Sequence, residues 1–187
     1  MSLEKIPEFC RDYEAKIERL GGFDYYLLGI GRNGHIGFNE PGSTINSKTR
    51  LMTLDIATKI DASPDFGGLQ KVPKKAITLG IDSIMKSKKI VLLAWGEHKA
   101  ASVAKAVEGS VTSDIPASYL QLHPNASFIL DETAASMLTR IKTPWVVDSV
   151  KWDRNMIKKA VTHLSLSLQK PVLKLTSKDY NEHGLSE

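Results

Sequence analysis

Two short apolar runs, each followed by a glycine, constrain the fold more than any other feature of the sequence. Residues 23–30 form the first run and precede Gly31, and residues 89–95 form the second and precede Gly96. Continuous apolar runs of this length, without alternation, are typical of strands that are buried on both faces of a parallel sheet. We therefore expect both segments to be central strands of such a sheet.

Segments with helical spacing of apolar residues lie before and between these strands. The sequence predicts helices and further short strands over 4–20, 76–80, 81–86, 97–108, 127–130 and 132–138. Strands that alternate with helices in this way indicate the α/β class. The expected architecture is a three-layer, Rossmann-like parallel sheet.

The alternation stops at Thr143, and the rest of the chain has a different character. An amphipathic helix is predicted after Asp153, whose side chain can cap its first turn. Residues 174–187 are polar, and we expect them to be poorly ordered. The sequence thus predicts an α/β domain over 1–142 and a helical extension or linker over 143–187.

Composition removes several classes of function. The net charge is +4, but the basic residues are spread along the chain instead of forming one stripe, so we expect no nucleic-acid partner. Charged residues interrupt the first twenty positions, and no later run could span a membrane, so we expect a cytoplasmic protein without a membrane partner. Cys10 is the single cysteine, which excludes an internal disulfide framework. We also expect no metal and no cofactor.

The loop after the first strand contains a glycine pattern that requires a test. Residues 29–34 match G-x-G-x-x-G, which in dinucleotide-binding proteins opens a helix whose N-terminus meets the pyrophosphate. Here the next residues include Gly37, Pro41 and Gly42, which oppose a helix. A long functional loop at the carboxyl end of a strand is therefore a better interpretation than a nucleotide site.

His35 and Glu40 are the residues of this loop that suggest chemistry. An isolated histidine is more often structural than catalytic, but His35 lies between glycines directly after a buried strand. Glu40 follows five residues later, within reach of the imidazole in a tight loop. A carboxylate that accepts one ring N–H fixes the tautomer and raises the basicity of the other nitrogen. The pair therefore predicts a general acid/base.

At this point residues 31–43, with the sequence GRNGHIGFNEPGS, closely resemble the signature of the glucosamine-6-phosphate deaminases. These enzymes convert glucosamine 6-phosphate to fructose 6-phosphate and ammonia. The similarity covers about 6–141, and later blocks that look like those of the family follow in the same order at 47–50, 71–80, 96–100, 106–109 and 120–124.

The resemblance implies roles for particular residues. His35 would move the proton between the anomeric hydroxyl and the ring oxygen during opening of the pyranose ring, and Glu40 would orient it with Asn33. Lys99 would bind the substrate phosphate. Its place after a predicted strand, in the first turn of a predicted helix, supports this role independently.

Further positions follow from the same resemblance. Gly31 and Gly34 would belong to the substrate-binding loop, and Ser43 and Arg50 to an allosteric sugar site, where the second basic residue of the family is Met52 here. The partner would be a small sugar phosphate, and we expect a homo-oligomer.

The sequence also departs from the family pattern. Asn33 stands where the family has an aspartate, and an asparagine can hydrogen-bond an imidazolium but cannot stabilise it by charge. Pro64 stands where the family has a phosphate-binding arginine. The family's phosphate loop and its proton-transferring aspartate have no counterpart in this chain. We therefore expect the C-terminal part of a longer enzyme, with an incomplete sheet, an exposed apolar face and no deaminase activity in isolation.

Two alternatives remain open at this stage. The departures at Asn33 and Pro64 are compatible with a non-catalytic module that binds a sugar phosphate. A sugar-phosphate lactonase is the third possibility, because the related 6-phosphogluconolactonases resemble the loop in its Gly-His pair. They lack the Phe-Asn-Glu-Pro continuation that residues 38–41 provide.

Overall fold

The computed structural model describes residues 2–185, and the chain divides into two compact units with their boundary between Leu138 and Thr139. The strands and helices of the first unit are α1 (Ile6–Arg19), β1 (Tyr26–Gly29), β2 (Arg50–Thr53), α2 (Ile56–Ala62), β3 (Lys75–Thr78), α3 (Ile81–Met85), β4 (Ile90–Ala94), α4 (Ala100–Glu108), β5 (Ala126–Leu130) and α5 (Glu132–Ala135). Short 3-10 turns link several of them, including Glu97–Lys99 and Pro116–Leu122.

A parallel sheet organises the first unit. Its strands lie in the order β1-β4-β5, and both neighbouring pairs are parallel. Leu28 and Leu92 are paired across β1 and β4, and both are buried against Val103 of α4 and Leu120. The predicted α/β class with a parallel sheet is therefore confirmed.

The expectation that residues 23–30 are buried on both faces is wrong. In β1, Leu28 is buried while its neighbour Leu27 is 58% exposed, and Ile129 of β5 is 57% exposed. Leu27 and Leu28 point to opposite faces of the sheet, and the face that carries Leu27 and Ile129 is only partly covered. An apolar run indicated a strand correctly, but it did not indicate how many faces are covered.

The sequence pattern predicted β3, as a strand over 76–80, but it missed β2, and with it the second sheet, and the helix α2. β2 and β3 pair in antiparallel register, with Leu51 opposite Ile77, and α2 follows β2 after one short turn. The long loop after β1 leads into β2, which begins at Arg50. The four residues of β2 and seven of α2 are too few for periodicity to distinguish them from loop.

The second unit is helical. Its helices are α6 (Thr139–Lys142), α7 (Arg154–Leu168) and α8 (Ser177–Glu182). Asp153 caps α7 by accepting hydrogen bonds from two backbone N–H groups, as predicted. The proposed domain division at residue 142 stays a prediction.

The expectation of poor order over 174–187 is wrong for part of that segment. Thr176 and Asp179 form a reciprocal capping box that begins α8, because each side chain accepts from the backbone N–H of the other residue. Residues 186 and 187 lie outside the described residues. Among helices of residues 2–185, none is long and apolar enough to cross a membrane.

Candidate active site

The loop between β1 and β2 folds back on itself around its glycines. The N–H of Gly31 donates to the carbonyl oxygen of His35 at 2.9 Å, and the N–H of Gly34 donates to the carbonyl oxygen of Gly31 at 3.0 Å. Gly34 has a φ of +84°, a conformation that other residues adopt only with strain. The glycines therefore bring His35 back over the end of β1.

Gly31 and Gly34 shape this loop, and their N–H groups are used within it. A Cβ at Gly31 would lie 2.2 Å from the imidazole of His35, so the ring rests directly on the glycine backbone. A Cβ at Gly34 would lie 2.9 Å from the side chain of Ile115. Gly31 also lines the cavity beside His35, whereas neither N–H is a spare donor for a ligand in this structure.

The structure brings Asn33, His35 and Glu40 together. Nδ1 of His35 lies 2.7 Å from Oδ1 of Asn33 and 3.3 Å from Oε2 of Glu40. Nδ2 of Asn33 donates to the same Glu40 oxygen at 3.0 Å. The side chains of His35 and Glu40 are 15% and 5% exposed, so these contacts are largely shielded from water.

The amide of Asn33 determines which imidazole nitrogen carries the proton. Because its Nδ2 donates to a carboxylate, its Oδ1 must face His35, where it also accepts from the backbone N–H at 3.2 Å. An amide oxygen accepts hydrogen bonds and cannot donate them. Nδ1 of His35 must therefore be the protonated nitrogen, which leaves Nε2 as a base.

Helix α2 adds two groups that the sequence did not reveal. The Thr58 hydroxyl lies 3.2 Å from Nδ1 of His35, and the backbone N–H of Asp55 donates to Oε1 of Glu40 at 3.3 Å. Asp55 is also the N-cap of α2, since its side chain accepts from the N–H of Ala57. Asp55 before an apolar residue was the available signal for this helix.

The surroundings of Glu40 keep its carboxylate ionised. Burial alone would raise the pKa, but hydrogen bonds from His35, Thr58 and Asn33 outweigh it and lower the pKa of Glu40 from its ordinary value of 4.5 to about 2. A fixed negative charge thus lies beside the protonated edge of the imidazole.

The second half of the loop is fastened to β3 and β2. Asn39 is fully buried, and its Nδ2 donates to the carbonyl oxygens of Ile36 and Leu79. Nη1 of Arg50 donates to Oδ1 of Asn39 at 3.0 Å, and Nη2 donates to the hydroxyl of Ser43 at 2.8 Å. Burial lowers the pKa of Arg50, and its hydrogen-bond partners among the described residues are neutral.

A cavity of about 390 Å³ brings His35 and Lys99 to one place. Its other lining residues are Gly29, Ile30, Gly31, Gly37, Thr58, Asp61 and Ala62. Lys99 lies at the end of the 3-10 turn that leads into α4. Burial and the charge of Arg32 lower the pKa of Lys99, while the carboxylate of Asp61 opposes that shift. The cavity therefore combines a candidate base with a cation.

The chain also matches a known protein family. Residues 2–129 match the family described as glucosamine-6-phosphate isomerases/6-phosphogluconolactonase. The chain belongs to this family. Because the match ends at residue 129, it includes every site residue described above and leaves the second unit outside it.

Individual relatives within the glucosamine-6-phosphate isomerase/6-phosphogluconolactonase family are also similar. A glucosamine-6-phosphate deaminase-like protein of Bacteroides thetaiotaomicron is 52% identical over 98% of this chain and 28% of its own length. The glucosamine-6-phosphate deaminase of Thermoanaerobacter pseudethanolicus is 48% identical over 72% of this chain and 53% of its own length. The chain thus spans about half of the deaminases that it matches.

A solved structure shows the same fold. It belongs to a monomeric glucosamine-6-phosphate deaminase that is 48% identical to this chain, with a TM-score of 0.67 over 68% of this chain and 53% of that one. The fold of the first unit is therefore that of the family.

The contact between Gly31 and His35 can be tested by substitution. Gly31→Ala should displace the imidazole and cost about 1–3 kcal/mol of unfolding free energy, as overpacking does. Gly29→Ala is the matched control, because nothing lies within 4 Å of the added methyl group. Chemical denaturation and the NMR signals of the His35 ring would measure both effects. Unchanged His35 signals in Gly31→Ala would contradict the packing described here.

The charge of Glu40 should be visible in the pH dependence of stability. Because its folded-state pKa is lowered to about 2, the carboxylate stabilises the fold fully above pH 4.5 and loses this effect as the pH falls towards 2. Glu40→Gln should therefore lower the unfolding free energy by about 2 kcal/mol at neutral pH. The difference from the unmodified chain should shrink between pH 4.5 and 2.

Exposed Glu8 of α1 provides the control, and Glu8→Gln should change the unfolding free energy little at either end of this range. A difference between Glu40→Gln and the unmodified chain that stays constant with pH would show that the Glu40 charge does not stabilise the fold.

Proposed function

We propose that this chain supplies the ring-opening part of an amino-sugar-phosphate isomerase or deaminase that converts glucosamine 6-phosphate to fructose 6-phosphate and ammonia. The observation that carries the proposal is the imidazole of His35, which is held through Nδ1 beside a cavity that also contains Lys99. The names of the similar proteins support the substrate class.

In this proposal His35 moves one proton during ring opening. Nε2 takes the proton from the anomeric hydroxyl, the bond between the anomeric carbon and the ring oxygen breaks, and the same proton is returned to the ring oxygen. The imidazolium that exists between these steps is stabilised by the Glu40 carboxylate at 3.3 Å. Asn33 keeps the ring in the required orientation through its hydrogen bond to Nδ1.

The other expected site residues take supporting roles. Lys99 binds the phosphate, Gly31 and Gly34 give the loop its shape, and Ser43 with Arg50 forms a second sugar-phosphate site. The lack of an acidic partner for Arg50 among its described contacts supports that second site, since a partly buried cation favours an anionic ligand. Asn39, the residue before Glu40, accepts a hydrogen bond from Arg50 and so links this second site to the loop that carries Glu40.

The similar deaminases are longer than the part that this chain matches. The remaining catalytic groups are proposed to lie in segments that correspond to their unmatched part. The 187-residue chain alone should therefore not release ammonia. Self-association stays a prediction, and the solved relative is described as monomeric.

A non-catalytic module that binds a sugar phosphate is the second candidate, and Asn33 is the observation that favours it. The amide of Asn33 adds no negative charge to that of Glu40, so the imidazolium is less stabilised. In this candidate, proton transfer by His35 is too slow for turnover. If this candidate is correct, the longest natural protein that contains the chain binds glucosamine 6-phosphate without converting it, and Asn33→Asp creates activity.

Turnover by the natural protein that contains the chain is the decisive measurement, with ammonia and fructose 6-phosphate detected together. His35→Gln should lower the rate by about 10²–10⁴-fold, the range typical of a lost general acid/base. His98→Gln is the matched control, because His98 is an exposed histidine next to Lys99 that has no part in the proposed proton transfer.

Absence of both products would overturn the deaminase proposal. Hydrolysis of a sugar-phosphate lactone without ammonia release would instead support the lactonase branch of the family. Equal rates for His35→Gln and His98→Gln would remove His35 from the mechanism.

A further inference from the structure

Three charged side chains lie together at the edge of the His35 cavity. Nε of Arg32 donates to Oδ2 of Asp61 at 3.0 Å, and a second contact joins the guanidinium to the other carboxylate oxygen. Asp61 and Lys99 both line the cavity, as does Gly31, the residue before Arg32. Arg32, from the loop, thus reaches the edge of the cavity through its contact with Asp61 of α2, which lines the cavity.

The charges of this group do not cancel. Arg32 and Lys99 carry two positive charges, while Asp61 is the carboxylate that faces them both. Within the described residues, Lys99 has no ion pair of its own. Arg32, Lys99 and Asp61 together therefore carry a net positive charge at the edge of the cavity, while the carboxylate of Glu40 lies on the Nδ1 side of His35.

The Arg32–Asp61 pair is open to exchange. The two side chains are 44% and 34% exposed, and ion pairs at such exposure stabilise a protein by less than about 1 kcal/mol. A phosphate carries more negative charge than one carboxylate and accepts hydrogen bonds from a planar guanidinium in bidentate geometry. Phosphate can therefore compete with Asp61 for Arg32 at little cost to the fold.

We propose that Arg32 is the second cation of the phosphate subsite, acting with Lys99, and that Asp61 holds Arg32 until the substrate phosphate displaces it. The inference rests on the proposed function in naming a sugar phosphate as the source of the anion. Arg32 is then a specificity-determining residue, which selects substrates that carry a phosphate.

Binding of inorganic phosphate to the 187-residue chain tests this pairing without requiring turnover. The ³¹P NMR signal would be titrated with the unmodified chain and with Arg32→Ala, Lys99→Ala, Asp61→Asn and Lys105→Ala. Lys105 is an exposed lysine of α4, so its variant removes one positive charge away from the cavity. Circular dichroism would establish that each variant is folded.

Arg32→Ala and Lys99→Ala should each weaken phosphate binding by about tenfold, as expected for a lost hydrogen bond between charged groups. Asp61→Asn should tighten it, because the competing carboxylate is gone, and Lys105→Ala should change it by less than about twofold. A purely structural Arg32–Asp61 pair predicts the opposite sign for Asp61→Asn.

Three results would overturn the inference: no saturable phosphate binding by the unmodified chain, unchanged affinity in folded Arg32→Ala, or weaker binding in Asp61→Asn. Phosphate binding that depends on Arg32, in a protein that lacks turnover, would sink the deaminase proposal and leave this inference standing. Turnover combined with unchanged phosphate affinity in Arg32→Ala would support the deaminase proposal and overturn the inference about Arg32.

Discussion

The hydrogen bond between Nδ1 of His35 and Oδ1 of Asn33, at 2.7 Å, is the interaction on which the account of the site depends. It is possible only because Gly31 has no side chain, since any Cβ there would occupy the space of the imidazole. Glu40 completes the arrangement by accepting from the amide of Asn33, which fixes the orientation of that amide. One short loop therefore sets the tautomer of the histidine and the direction of its free nitrogen.

The asparagine at position 33 has two opposite effects on this chemistry. It orients the imidazole as a carboxylate would, but it adds no negative charge to the site. Glu40 supplies that charge, and the depressed pKa of Glu40 shows how strongly its neighbours favour the ionised form. A second replacement is proposed at the cavity edge, where Arg32 contacts Asp61 of α2, three positions before Pro64.

The sequence predicted those features that depend on short-range pattern. The apolar runs indicated β1 and β4, helical spacing indicated α1 and α7, and the five-residue spacing indicated the contact between His35 and Glu40. Contacts between distant residues could not be predicted in this way. Thr58 lies 23 positions from His35, and Asp61 lies 29 positions from Arg32, and both are carried by a helix too short to show a clear period. The exposure of Leu27 likewise depends on which face of the sheet is covered, which the apolar run does not encode.

The tautomer of His35 is the most direct test of the central claim. Nitrogen-15 NMR of the imidazole, at a pH where the ring is neutral, distinguishes a proton on Nδ1 from a proton on Nε2. The account predicts the Nδ1–H form in the unmodified chain and a smaller share of that form in Asn33→Ala, where Glu40 is the carboxylate acceptor that remains beside Nδ1. A proton on Nε2 in the unmodified chain would contradict the account, because Nε2 could then not accept the proton of the anomeric hydroxyl.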